Sequence, residues 1–212
     1  MRQVIRLIAS GAVLVAGIGA VPSEAAPRRL GCRPQGSSTI TQTRYARLYR
    51  LSGRSYGCLY SRGVAYRLGD KTEDESYPDE VKLGMARLAG RYAAFELRFA
   101  GRGDTSFEIH VLDLQTGRLR RKPKAYEELA PPTERADSGV TDLVLNPRGS
   151  VAWIIRNIYS DPVRLEVHKA DSTTRGAVLD AGDAVDPTSL RLDQDRRLTW
   201  RNGGVQRTTT LR

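Results

Sequence analysis

The chain has two histidines and two cysteines among 212 residues, and five lysines against 29 arginines. With so few histidines and cysteines, a zinc-type centre is not expected, because zinc takes three or four converging ligands. Cys32 and Cys58 stand 26 positions apart, which is not the Cys-x-x-Cys spacing of redox thiol pairs. No Gly-x-Ser-x-Gly nucleophile elbow is present, nor a twelve-residue calcium loop with its central Gly and terminal Glu. The longest apolar run, Leu7 to Val21, is 15 residues, short of the ~20 that a spanning helix requires. No catalytic, metal or cofactor-binding set is therefore assigned. Beyond that first run, no stretch keeps a helical period, so helical architectures are set aside.

What is present begins with an export signal. Arg2 and Arg6 precede the apolar run, and Ser23-Glu24-Ala25 places small side chains at the −3 and −1 positions of a cut. Residues 1–25 read as a signal peptide cleaved after Ala25. Arg28 and Arg29 separate Cys32 from the apolar run, so no lipid-anchoring motif adjoins it. The mature chain is then expected to be secreted, without a stable membrane anchor. Its 187 residues suit one domain and carry about +9. In an oxidising compartment Cys32 and Cys58 are expected to form a disulfide. That bond would tie an N-terminal arm, residues 26–42, to a body of residues 43–212. The net charge favours anionic partners, although the Arg, Ala and Gly skew is also what a GC-rich genome imposes.

Two internal matches organise the body. Glu108-Ile109-His110-Val111-Leu112-Asp113 matches Glu166-Val167-His168-Lys169-Ala170-Asp171, and the histidines are 58 positions apart. Phe95 and Trp153, each ending a β-like run upstream, stand at the same offset. Leu143-x-Leu145 then Val151-x-Trp153 matches Leu190-x-Leu192 then Leu198-x-Trp200, with a turn-forming hinge in each. The alternation puts these side chains on one face of a two-stranded ribbon. The chain parses into about four antiparallel units, at about 43–69, 81–125, 139–181 and 189–211. The first lacks an opening strand and the last a closing one. The fold class expected is all-β.

Ile109-His110-Val111-Leu112-Asp113-Leu114-Gln115-Thr116-Gly117, followed by Arg118-Leu119, resembles the third and fourth strands of TolB-type and YVTN-type β-propeller blades. Ser138–Trp153 resembles the first two. The resemblance implies a β-propeller-like stack of about four small antiparallel blades, as a closed ring or a curved open stack. A β-sandwich is the alternative. It also implies a binding or scaffolding module for an extracellular protein or polysaccharide. A hydrolase or lyase with its site at a central channel is a second possibility.

Arg118-Leu119-Arg120-Arg121-Lys122-Pro123-Lys124 is the densest basic run. On a strand, Arg118, Arg120 and Lys122 would form a stripe able to hold anionic polymers. Edge protection by charge and proline is the competing account of Arg118, Arg120, Arg121, Lys122 and Lys124. No aromatic residue interrupts the run for base stacking, so nucleic acid is not the expected partner. Asp180, Asp183, Asp186, Asp193 and Asp195 would hold Ca²⁺ only by converging; turn formation accounts for them equally. Arg102-Gly103-Asp104 spells the integrin tripeptide, which an Arg- and Gly-rich chain produces by chance. The candidate contact segments are 70–80, 100–106, 127–137 and 157–163.

Overall fold

A computed structural model describes residues 30–69, 80–100, 105–125, 139–157 and 162–212. The segment read as a signal peptide, the linkers 70–79 and 127–137, and Arg102-Gly103-Asp104 lie outside the described residues. The described residues form an all-β protein of fifteen strands in four antiparallel sheets. Each sheet is an up-and-down meander whose strands pair in chain order.

The first sheet holds β1 (Ser38–Gln42), β2 (Ala46–Leu51), β3 (Arg54–Leu59) and β4 (Val64–Arg67). The second holds β5 (Glu80–Ala89), β6 (Tyr92–Ala100), β7 (Thr105–Asp113) and β8 (Arg118–Arg121). The third holds β9 (Gly139–Leu145), β10 (Val151–Asn157), β11 (Arg164–Ala170) and β12 (Ala177–Gly182). The fourth has three strands, β13 (Arg191–Asp193), β14 (Arg197–Asn202) and β15 (Val205–Thr210). The first sheet has an opening strand that alternation did not reveal, because Ser38-Thr39-Ile40-Thr41-Gln42 is mostly exposed and polar. It lies in the segment read as an arm.

Period-two alternation explains why these sheets stack. In β10, Val151, Trp153 and Ile155 face the second sheet, while Ala152 and Ile154 face the fourth. In β6, Ala94 faces the third sheet, while Ala93, Phe95 and Leu97 face the first. The two middle sheets are thus apolar on both faces, and each interface buries its own cluster. The chain turns sharply where its composition permits it. Gly203 and Gly204, both at positive φ (58° and 76°), make the two-residue hairpin between β14 and β15, the conformation that matches strand twist.

One glycine marks a close approach. In β5, Gly84 and Met85 together oppose Glu96, a β-bulge. The Glu96 carboxylate folds back over it and accepts the Met85 N–H at 3.2 Å. A Cβ on Gly84 would stand 1.9 Å from Glu96 Oε2. Gly84→Ala is therefore expected to destabilise the protein by about 1–3 kcal/mol, the range of overpacking. Urea unfolding of the variant checks this, and an unchanged midpoint contradicts the close approach.

Candidate functional site

The two matched sequence motifs come together in space as equivalent cross-strand pairs. Phe95 on β6 pairs with His110 on β7, and Trp153 on β10 pairs with His168 on β11. The Phe95 and His110 rings are 5.6 Å apart; those of Trp153 and His168 are stacked at 5.1 Å. Each histidine also meets the carboxylate two residues before it, Glu108 or Glu166, at 2.8 Å. The other two sheets occupy the same place with Tyr49–Tyr56 and Trp200–Arg207. Those two pairs escaped sequence reading because their third-strand members share no residue type with histidine. His110 and His168 thus sit in different interfaces and do not converge.

Both tryptophans donate their indole N–H to the preceding sheet's closing segment. Trp153 Nε1 donates to Ala125 O at 2.6 Å, and Trp200 Nε1 to Asp180 Oδ2 at 2.8 Å. Buried carboxylates join neighbouring sheets in the other direction. Glu96, fully buried, accepts the Val140 N–H of the third sheet at 3.1 Å. Asp142 on β9 accepts the Leu190 N–H at 3.0 Å, just before the fourth sheet. Asp171 accepts from Thr173, Lys169 and the Arg212 N–H. Burial alone would raise its pKa, but these hydrogen bonds outweigh burial and hold it far below the usual carboxylate range. Burial would likewise raise Glu108, yet His110 and Lys122 bring it below its ordinary value.

The basic run does not form one stripe. Arg121, not Arg120, pairs with Val111, and Arg120 is the extra residue of a bulge in β8. Arg121 consequently turns toward the third sheet, donating to Gly149 O at 2.9 Å and Asp171 O at 2.7 Å. Its desolvation lowers its pKa. Lys122 lies 3.4 Å from Glu108 Oε2. Lys124 is exposed beside its backbone bridge to Glu108. Arg118 and Arg120 remain exposed.

The two end faces of the stack differ. Residues 30–37 cover the outer face of the first sheet, tied there by the Cys32–Cys58 disulfide. Arg47 Nη1 donates to Cys32 O and Tyr49 Oη to Gly31 O, both at 2.9 Å. Tyr49 is fully buried as a result. On the fourth sheet, Arg191, Arg197, Thr199, Arg201, Gln206 and Thr208 share the outer face by register. A polar depression of about 260 Å³ opens among Asp186, Thr188, Ser189, Thr199, Arg201 and Gln206. Asp186 is held by an Asx turn onto Thr188, and the Ser189 hydroxyl accepts the Arg201 N–H. Among the described residues, the Arg201 guanidinium and the Gln206 amide have no partner.

The chain matches no family model and no curated protein. The reading of the site therefore rests on its chemistry. The late aspartates take separate places: Asp180 accepts from Trp200 and Asn202, while Asp186 closes its own turn. Among the described residues, no three His, Cys, Asp or Glu side chains group as metal ligands. The depression was not legible in the sequence, because its residues come from a loop and two strands whose side chains align only in the folded sheet.

Proposed function

We propose that the protein is an exported, non-catalytic binding module for an extracellular protein or polysaccharide, built as an open stack of four propeller-like blades. The equivalent cross-strand pairs, the equivalent indole donations and the packing of each sheet on the next in chain order support the blade reading. The disulfide is consistent with an oxidising compartment. One observation carries the functional reading. One end face is capped by a tied arm, while the other, among the described residues, carries no such arm and holds a polar depression. Its hydroxyls, amide, guanidinium and carboxylate suit a hydroxyl-rich polymer, whose groups both donate and accept.

Affinity electrophoresis through gels containing acidic or neutral polysaccharides tests this reading. The wild-type protein is expected to be retarded by at least one polymer, and an Arg201→Ala/Gln206→Ala variant to run free. Equal retardation of both would remove the depression from the account. The exposure of Arg118 and Arg120 favours a second reading, electrostatic anion binding. Under that reading Arg118→Ala/Arg120→Ala is the variant that loses retardation, and added salt abolishes it.

A further inference from the structure

The fourth sheet ends where the other three continue. In each of the first three, a fourth strand closes the outer edge; here, among the described residues, β15 is the edge. Its hydrogen-bond phase follows from one contact beyond the strand. The Leu211 N–H donates to Arg196 O at 2.8 Å. In an antiparallel ladder bonded pairs alternate, so Thr209, Arg207 and Val205 bond inward to β14. The backbone groups of Gln206, Thr208, Thr210 and Arg212 face outward. At the far end these are already engaged. The Arg212 carbonyl accepts from Ser150 Oγ and Ser172 N–H, the Arg212 N–H donates to Asp171, and Lys169 reaches Thr210 O. Among the described residues, that leaves both backbone groups of Gln206 and of Thr208, and the Thr210 N–H, without a partner.

Two of the usual protections of an edge, a bulge and a proline, are missing from this one. The pairing of β14 with β15 has no bulge, whereas β8 and β12 both join through one. Val205-Gln206-Arg207-Thr208-Thr209-Thr210 contains no proline and is rich in β-branched residues. An open, regular edge is a template for an added strand. Its charge selects the occupant. Residues 197–212 carry Arg197, Arg201, Arg207 and Arg212 and no acidic residue. A second copy would set its own arginines against these, and like charges across a ladder destabilise it.

We propose that β15 receives an extended, acidic segment of a partner protein as the fourth strand of this sheet, hydrogen-bonded to Gln206 and Thr208. Alternate side chains of the added strand fall on the face that carries Arg207, which is exposed and without a partner among the described residues. A carboxylate there pairs with it, and β-branched residues fit the positions between.

The probe is an acetylated peptide of alternating glutamate and threonine, titrated into the disulfide-bonded protein. Saturable binding is expected, with slowed amide exchange at Gln206, Thr208 and Thr210. The Thr208 N–H points away from β14, so Thr208→Pro blocks the edge without removing a native ladder bond. That variant is expected to bind about tenfold more weakly or worse, with an unchanged circular dichroism spectrum. Arg207→Glu is expected to reverse the preference toward a lysine–threonine peptide and guards against misfolding of the proline variant. Absence of saturable binding, binding indifferent to both substitutions, or protection elsewhere overturns the proposal. The depression is independent of this outcome, because Arg201→Ala/Gln206→Ala leaves the backbone edge intact.

Discussion

Truncating Trp153 to alanine lowers the unfolding free energy by about 3–5 kcal/mol, the cost of removing a fully buried large aromatic. Trp153 is 0% exposed, sits between two sheets that are each apolar on both faces, and stacks on His168 at 5.1 Å. Its loss leaves a cavity and strips Ala125 O of its 2.6 Å donor. The surroundings are poorly able to collapse into the space, since Leu143 and His168 flank Trp153 in rigid register on both sides. Trp153→Phe separates the two contributions. It keeps the ring but loses the indole N–H, and is expected to cost less, including about 1–3 kcal/mol for the orphaned carbonyl. Urea unfolding at constant m-value measures both. Trp200→Ala is expected to cost less than Trp153→Ala, because Trp200 is slightly exposed and lies in the last interface, on a sheet that packs no further sheet among the described residues. A Trp153→Ala loss below about 1 kcal/mol would remove the aromatic pair from the centre of the stability account.

The same pair shows what the sequence discloses and what it withholds. Alternation around Trp153 and Phe95 announced strands, and the shared 58-residue offset of the two histidines and two aromatics corresponds to matching register in the second and third sheets. Those signals are local, and period two survives wherever one face is buried. The use of Glu96 was hidden. Within Ala94-Phe95-Glu96-Leu97 it reads as the solvent-facing member of an alternating strand, yet it is fully buried. Besides the Arg98 guanidinium at 3.1 Å, its partners are the N–H groups of Met85 and Val140, on β5 and on the next sheet. Backbone donors leave no mark in side-chain composition. The register of the basic run was hidden for a related reason. One extra residue, Arg120, shifts β8 by a position and sends Arg121 into an interface, because a slip of one reverses every side chain. The depression combines both difficulties, since Asp186, Thr199, Arg201 and Gln206 meet only once the register of the fourth sheet is set.

Breaking the disulfide, as Cys32→Ser/Cys58→Ser, is expected to lower stability by about 3–4 kcal/mol from loop-closure entropy alone. The bond spans 26 positions, and releasing it enlarges the unfolded ensemble. The native state is affected as well. Besides the sulfur bridge, residues 30–37 are held on the first sheet by hydrogen bonds from Arg47 to Cys32 O and Ser37, from Tyr49 to Gly31 O and from the Ala65 N–H to Leu30 O, and by Arg33 over the Tyr60 ring. Without the bridge, those contacts must alone oppose the entropy of ordering the arm, about 1–2 kcal/mol per residue. The arm is therefore expected to leave the sheet while the three apolar interfaces persist. Tyr49, whose hydroxyl pKa burial now raises, would become exposed and titrate nearer its ordinary value. Two measurements separate the effects. Urea unfolding reads the total loss, and spectrophotometric tyrosine titration reads the release of the arm. A double variant with an unchanged midpoint and unchanged tyrosine titration would show that the cap is held by its hydrogen bonds and not by the covalent tie.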